Sequence, residues 1–281
     1  MIKREQRADL PFVKMHGLGN DFVIIDARDG GDVMTPALAR AIGDRHRGVG
    51  FDQLAVIRPG TDADADLVFW NADGSTAGAC GNATRCIAKR LMAERGQDRL
   101  TLRTERGKLA CSALADGRVR VDMGAPRLEW DAIPLSRAVD TAALPLDGSP
   151  ASCSMGNPHC TFFVADAGAA PLAGRGPEVE HDPLFPERTN VQFVEVIDRT
   201  RARVRVWERG VGVTLASGSS SCAVLVNAVR RGLMERRATL ILDGGEIEVE
   251  WPDESSGVFM TGPVASVFEG HLDPGFLEAA Q

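Results

Sequence analysis

Short apolar runs separated by turn residues set the rhythm of the chain. Residues 22–26, 66–70, 238–242 and 246–251 are rich in Val, Ile, Leu, Phe and Trp and predict strands. Residues 118–123 and 202–207 alternate polar and apolar side chains, the period of a half-buried strand. Two stretches break this rhythm. Residues 82–94 predict a helix with Gly96 as its C-cap, and residues 219–231 predict a second ending at Gly232. The second carries Cys222, Ala223, Val224, Leu225, Val226, Ala228 and Val229, apolar nearly all round, and is expected to be buried. A buried helix among many strands predicts an α/β (α+β) fold in which a curved sheet or barrel wraps a central helix.

The pattern occurs twice. Gly19-Asn20 before an apolar run matches Gly156-Asn157 before another. Gln53 matches Asn190, Trp70-Asn71 matches Trp207-Glu208, and Cys80-Gly81 matches Ser217-Gly218. Every pair stands 137 positions apart, close to half of the 281 residues. Four matches in one order at one offset predict two pseudosymmetric domains from a duplication. The crossover is expected near Gly124-Ala125-Pro126. That gives a first domain of residues 1–124, completed by 266–281, and a second of 125–265, with the site in the cleft between them.

Composition narrows the partners. A net charge of −7, with both signs mixed along the chain, argues against nucleic acid or an anionic membrane surface. No window approaches the roughly 18 apolar residues of a membrane span, and the N-terminus MIKREQRADLPF lacks the apolar run of a signal peptide. The cytoplasm is the expected compartment, where the six cysteines stay reduced. Cys80 and Cys86 are six apart with no second close pair, which is not a zinc spacing. Nor is there a P-loop, a G-x-G-x-x-G turn or a G-x-S-x-G elbow.

The candidate chemistry lies where the two helices begin, at Cys80-Gly81-Asn82 and Ser217-Gly218-Ser219. Glycine lets backbone approach a ligand closely, and the N–H groups of a first helical turn attract a carboxylate. The same dipole favours thiolate over thiol, so Cys80 is a candidate base. A lone buried cysteine is more often a small hydrophobe. The repeat partner and the polar stretches Asn71-Ala72-Asp73-Gly74-Ser75 and Glu208-Arg209-Gly210 favour chemistry.

These motifs carry a resemblance. Lys14–Phe22 (KMHGLGNDF), Gly50–Leu54 (GFDQL), Asn71–Ser75, Cys80–Asn82, Met155–His159 (MGNPH), Arg188–Asn190 and Trp207–Gly212 (WERGVG) are similar to the diaminopimelate epimerase family, from residue 12 to about 268. The resemblance implies a cofactor-free isomerase, using no metal, PLP or nicotinamide, that interconverts L,L- and meso-diaminopimelate on the way to lysine and peptidoglycan. One cysteine takes the α-proton and a second donates from the opposite face. It implies substrate binding by Asn20, Gln53, Asn71, Gly81, Asn82, Asn157, Asn190, Glu208, Arg209, Gly218 and Ser219. His159 and Glu208 are implied as groups that tune the two sulfur positions. The expected partner is a small amino acid, and a homodimer is compatible with the sequence.

One position departs from the family. The second cysteine is Ser217, whose hydroxyl is a far weaker acid than a thiol. Cys222 lies five residues into the buried helix and does not replace it. Three readings follow, in order. The first is an epimerase or racemase in which Ser217 works with help from Glu208 or His159. The second is a paralogue acting as a dehydratase, and the third a protein that binds without turnover.

Overall fold

The computed structural model describes residues 9–280. The charged start of the chain, read above as lacking a leader's apolar run, lies outside them through residue 8. The first half contains β1 (Leu10–Gly17), β2 (Asn20–Asp26), α1 (Pro36–Gly43), β3 (Gln53–Pro59), β4 (Ala65–Asn71), β5 (Thr76–Ala77), α2 (Gly81–Arg95), β6 (Arg99–Thr104), β7 (Gly107–Ala113) and β8 (Val119–Asp122). The second contains β9 (Ala151–Ser154), β10 (Pro158–Phe163), α3 (Leu172–Glu180), β11 (Asn190–Asp198), β12 (Arg201–Glu208), β13 (Gly212–Thr214), α4 (Gly218–Arg230), β14 (Arg237–Leu242), β15 (Gly245–Glu250) and β16 (Phe259–Gly262). Last come β17 (Ala265–Leu272) and α5 (Pro274–Ala279).

The chain forms two compact units. One holds residues 9–17, 21–113 and 264–280, and the other 18–20 and 114–263. The switch expected after Gly124 therefore comes earlier, between Ala113 and Leu114. The reason is strand pairing. β8 pairs antiparallel with β16 in the second unit, Met260 opposite Val121. In return β17 pairs antiparallel with β1 in the first, Phe12 opposite Gly270. Sequence order alone had assigned β8 to the half that precedes it.

In the first unit β2 and β3 run parallel, β3 and β4 antiparallel, β4 and β6 parallel, and β6 and β7 antiparallel. In the second, β10, β11, β12, β14 and β15 repeat that order of directions. Even the register repeats. Phe22 faces Gln53, and His159 faces Asn190, each residue 137 positions after its counterpart. The duplication expected from the sequence is thus present strand by strand.

Each unit wraps a helix. α4 packs on β9, β10, β11, β14, β15 and β16, and every residue from Ser220 to Ala228 is buried. Full burial of Cys222, Val224, Leu225 and Val226 makes this helix the centre of the second core. At roughly 1.5–3 kcal/mol for each large aliphatic side chain, that packing fixes where the helix starts. α2 touches β1, β6 and β7 and buries Ile87, Ala88 and Leu91. It ends at Gly96 in the left-handed region (φ 61), as its sequence predicted. No described helix is long and apolar enough to cross a membrane.

Candidate active site

The two central helices start alike. Cys80 and Ser217 are both N-caps with extended backbone, φ −145 and −140. The Cys80 carbonyl accepts from the Thr84 N–H at 2.9 Å and the Thr84 hydroxyl at 2.8 Å. The Ser217 carbonyl accepts from the Ser221 N–H at 3.0 Å and the Ser221 hydroxyl at 2.8 Å. Thr84 and Ser221 are also 137 positions apart, a further repeat pair.

The side chains differ. Cys80 Sγ accepts the Ala83 N–H at 3.4 Å, so the sulfur lies over the positive end of its own helix. It is half-buried, whereas the other five cysteines are buried and none is in a disulfide. Burial pushes the thiols of Cys86, Cys111 and Cys153 up to about 12. Ser217 makes no side-chain cap. Its hydroxyl donates instead to Glu208 Oε2 at 2.9 Å. A hydroxyl has no proton of its own to lose near neutrality, so the titratable partner at this helix start is a carboxylate.

In the first unit, Gln53 at the start of β3 donates to Asn71 Oδ1 at 3.1 Å. Asn71 donates to Ser75 Oγ at 3.0 Å, and Ser75 to Asp73 at 2.6 Å. This string orients the outward carboxamides of neighbouring strands β3 and β4, where Gln53 faces Asn71 in register. Gly81 and Asn82, both buried, form the first turn of α2. Asn20, also buried, belongs to the short 18–20 segment grouped with the second unit.

In the second unit the candidates form two bonded sets beside Ser217, Gly218 and Ser219. His159 is not a loop filler. It sits on β10, fully buried. Gln192 Nε2 approaches His159 Nδ1 at 3.1 Å and donates to Ser220 Oγ at 3.1 Å, while Gln192 Oε1 accepts from Thr161 at 2.9 Å. An amide nitrogen can only donate, so Nδ1 accepts and Nε2 carries the proton toward Asn157 Oδ1, 3.0 Å away. These contacts hold the ring in one orientation. In the other set, Asn190 Oδ1 accepts the Arg209 N–H at 3.1 Å and its amide donates to the Pro158 carbonyl at 2.9 Å. The Arg209 guanidinium donates to the Glu187 carbonyl at 2.9 Å. Burial, and then the charge of Arg188, leave Arg209 less basic than an ordinary arginine.

Sequence reasoning missed Gln192, Ser220, Thr84 and Ser221. The repeat offset pointed to the last pair. Gln192 lies two residues from Asn190 on β11 and so shares its face, a signal available from strand period alone.

The duplicated unit, with a central helix that starts at Cys80 in one copy and at Ser217 in the other, is the fold of the two-domain racemases and epimerases. Solved structures share the fold over nearly the full chain. A hydroxyproline epimerase from Agrobacterium vitis matches with a TM-score of 0.69 at 14% identity, covering 96% of this chain and 92% of that one. A phenazine biosynthesis protein of the PhzF family from Bacillus anthracis matches at 0.67 and 16%, covering 95% and 99%. At such identities only the fold is shared. The sequence is more specific. The model of the diaminopimelate epimerase family matches residues 12–129 and 151–267. Diaminopimelate epimerases from Acidiphilium cryptum and Rhodospirillum centenum are 52% and 51% identical, over 95% and 93% of this chain and 98% and 91% of their own. The chain belongs to the diaminopimelate epimerase family.

Proposed function

We propose that this protein interconverts L,L- and meso-2,6-diaminopimelate by removing an α-proton on one face and returning a proton on the other. The observation that carries this reading is the relatives' near-complete coverage at about half identity, together with the repeat-equivalent placing of Cys80 and Ser217 at the two helix starts.

Cys80 as thiolate takes the α-proton. The C–H electron pair passes into the α-carboxylate, where first-turn N–H groups stabilise the added charge. The other face carries Ser217, whose hydroxyl donates to Glu208 Oε2 at 2.9 Å; with Glu208 in its acid form that bond turns round, and Ser217 gives its proton to carbon as it takes one from the carboxyl. The net change converts thiolate and carboxylic acid to thiol and carboxylate, and the reverse direction retraces it. Arg209 and the carboxamides of Asn20, Gln53, Asn71, Asn82, Asn157 and Asn190 hold the substrate's carboxylates and ammonium groups, with Gly81, Gly218 and Ser219 supplying backbone N–H donors. His159, hydrogen-bonded to Gln192 and Asn157, holds the Asn157 carboxamide in place. A family position in lysine biosynthesis and six cysteines outside any disulfide suit the cytoplasm.

The test is incubation with each diaminopimelate isomer in D2O, followed by proton NMR. Deuterium gain with inversion is the expected result. Exchange with retention would restrict the protein to one working face, and no exchange with any isomer would remove diaminopimelate as substrate.

A further inference from the structure

Glu180 takes no part in the chemistry above, yet its side chain is only 3% exposed. It ends α3. One turn earlier on the same face of that helix, Gly176 lies against the Trp207 indole, where a Cβ would stand 2.6 Å from the ring. Glycine alone permits the helix to come so close. That approach brings the Glu180 carboxylate to both ends of one turn. Its Oε2 accepts the Trp207 indole N–H at 2.7 Å, and its Oε1 accepts the Gly210 backbone N–H at 2.8 Å. Bracketed between those two contacts are Glu208 and Arg209.

A second loop is tied to the same group. The Arg188 guanidinium reaches Glu180 Oε1 at 3.4 Å from a backbone in the left-handed region, φ 61, which side-chain-bearing residues rarely adopt. Two residues on, Asn190 accepts the Arg209 N–H. A carboxylate is the side chain that fits, because it only accepts, and each of its three neighbours only donates. A glutamine would turn an NH2 group toward one of them.

We propose that Glu180 is a positioning residue whose buried carboxylate holds the Trp207–Gly210 turn in the geometry that presents Glu208 to Ser217 and Arg209 to a substrate carboxylate. The substrate half of this statement rests on the diaminopimelate reading. The holding of the turn does not.

The test compares the full chain with E180Q, W207F, R209K and the double variant E180Q/R209K. In E180Q the amide signal of Gly210 and the indole N–H signal of Trp207 should both move in nitrogen–proton NMR spectra. KM for diaminopimelate should rise about tenfold or more, with kcat falling by less, as expected when binding common to ground and transition states is lost. Added to R209K, E180Q should cost less than about twofold more, because the two act through one contact. W207F removes a single donor and should raise KM by a smaller factor. If E180Q does not fold, the W207F result decides. Unchanged KM in W207F, or in a folded E180Q, overturns the proposal, as does full additivity with R209K. Should the parent chain leave diaminopimelate untouched, the substrate reading fails, and unmoved Gly210 and Arg209 signals in E180Q would then overturn the positioning role separately.

Discussion

Cys80 and Ser217 occupy the same place in the repeat and are held by the same carbonyl contacts, yet one caps its helix and the other turns to a carboxylate. Accessibility and helix-start charge together single out Cys80 among the six cysteines. The native protein should therefore take up one equivalent of iodoacetamide, at Cys80, as read by mass spectrometry of the digest. Rapid labelling at Cys153 or Cys222 would contradict the burial described here. Exchange of oxygen for sulfur at position 217 should act in the opposite sense. S217C restores a group that titrates closer to neutrality, and kcat for epimerisation should rise by about 10²-fold. A fall in kcat would mean that Glu208 and the surrounding packing are fitted to oxygen.

At the level of elements, the sequence was informative wherever a periodic pattern met a stop signal. All six strands it predicted are present, and both central helices begin and end within a residue of expectation. α1 and α5 went unread despite Thr35-Pro36 and Asp273-Pro274, each a side-chain N-cap followed by proline at the first helical position. α3 carried no such signal. Its sequence LAGRGPEVE has two glycines and an internal proline, all poor helix formers, and it is held by packing against Trp207. The site divides in the same way. Residues at turns and helix starts were legible from the repeat and the motifs. Strand period could place Gln192 on the Asn190 face but not name its partners, and nothing marked Glu180, since these contacts span 27 to 33 residues of sequence. The stop signals have a measurable cost. Gly96 has φ 61 with open space around its Cβ position, so G96A meets no clash, only the left-handed penalty. It should lose about 1 kcal/mol, near 2–4 °C in melting temperature, by thermal scan.

For the molecule as a whole, pH offers the clearest handle. Burial raises the Asp21 carboxyl, but hydrogen bonds and charge from Arg45 and Lys14 outweigh it and hold the group below its ordinary 3.8. Asp66 is held down in the same way by Arg103 and Thr61. A carboxyl depressed by folding stabilises the native state fully above its unfolded value, and that contribution disappears as pH falls through the folded one. Urea midpoints should thus be steady through neutrality and drop below about pH 4. D21N should be less stable at pH 7 and lose less on acidification; an unaltered acid profile would place the sensitivity elsewhere. The pairing of β17 with β1 has a consequence for the order in which the protein is made. The T-shaped Phe12–Phe268 contact and the glycine beneath Phe12 join the opening strand to one translated after the entire second unit. On the ribosome, the unit begun first is therefore the one finished last, and until then the edge of β1 that β17 will pair with stays open for a chaperone to cover.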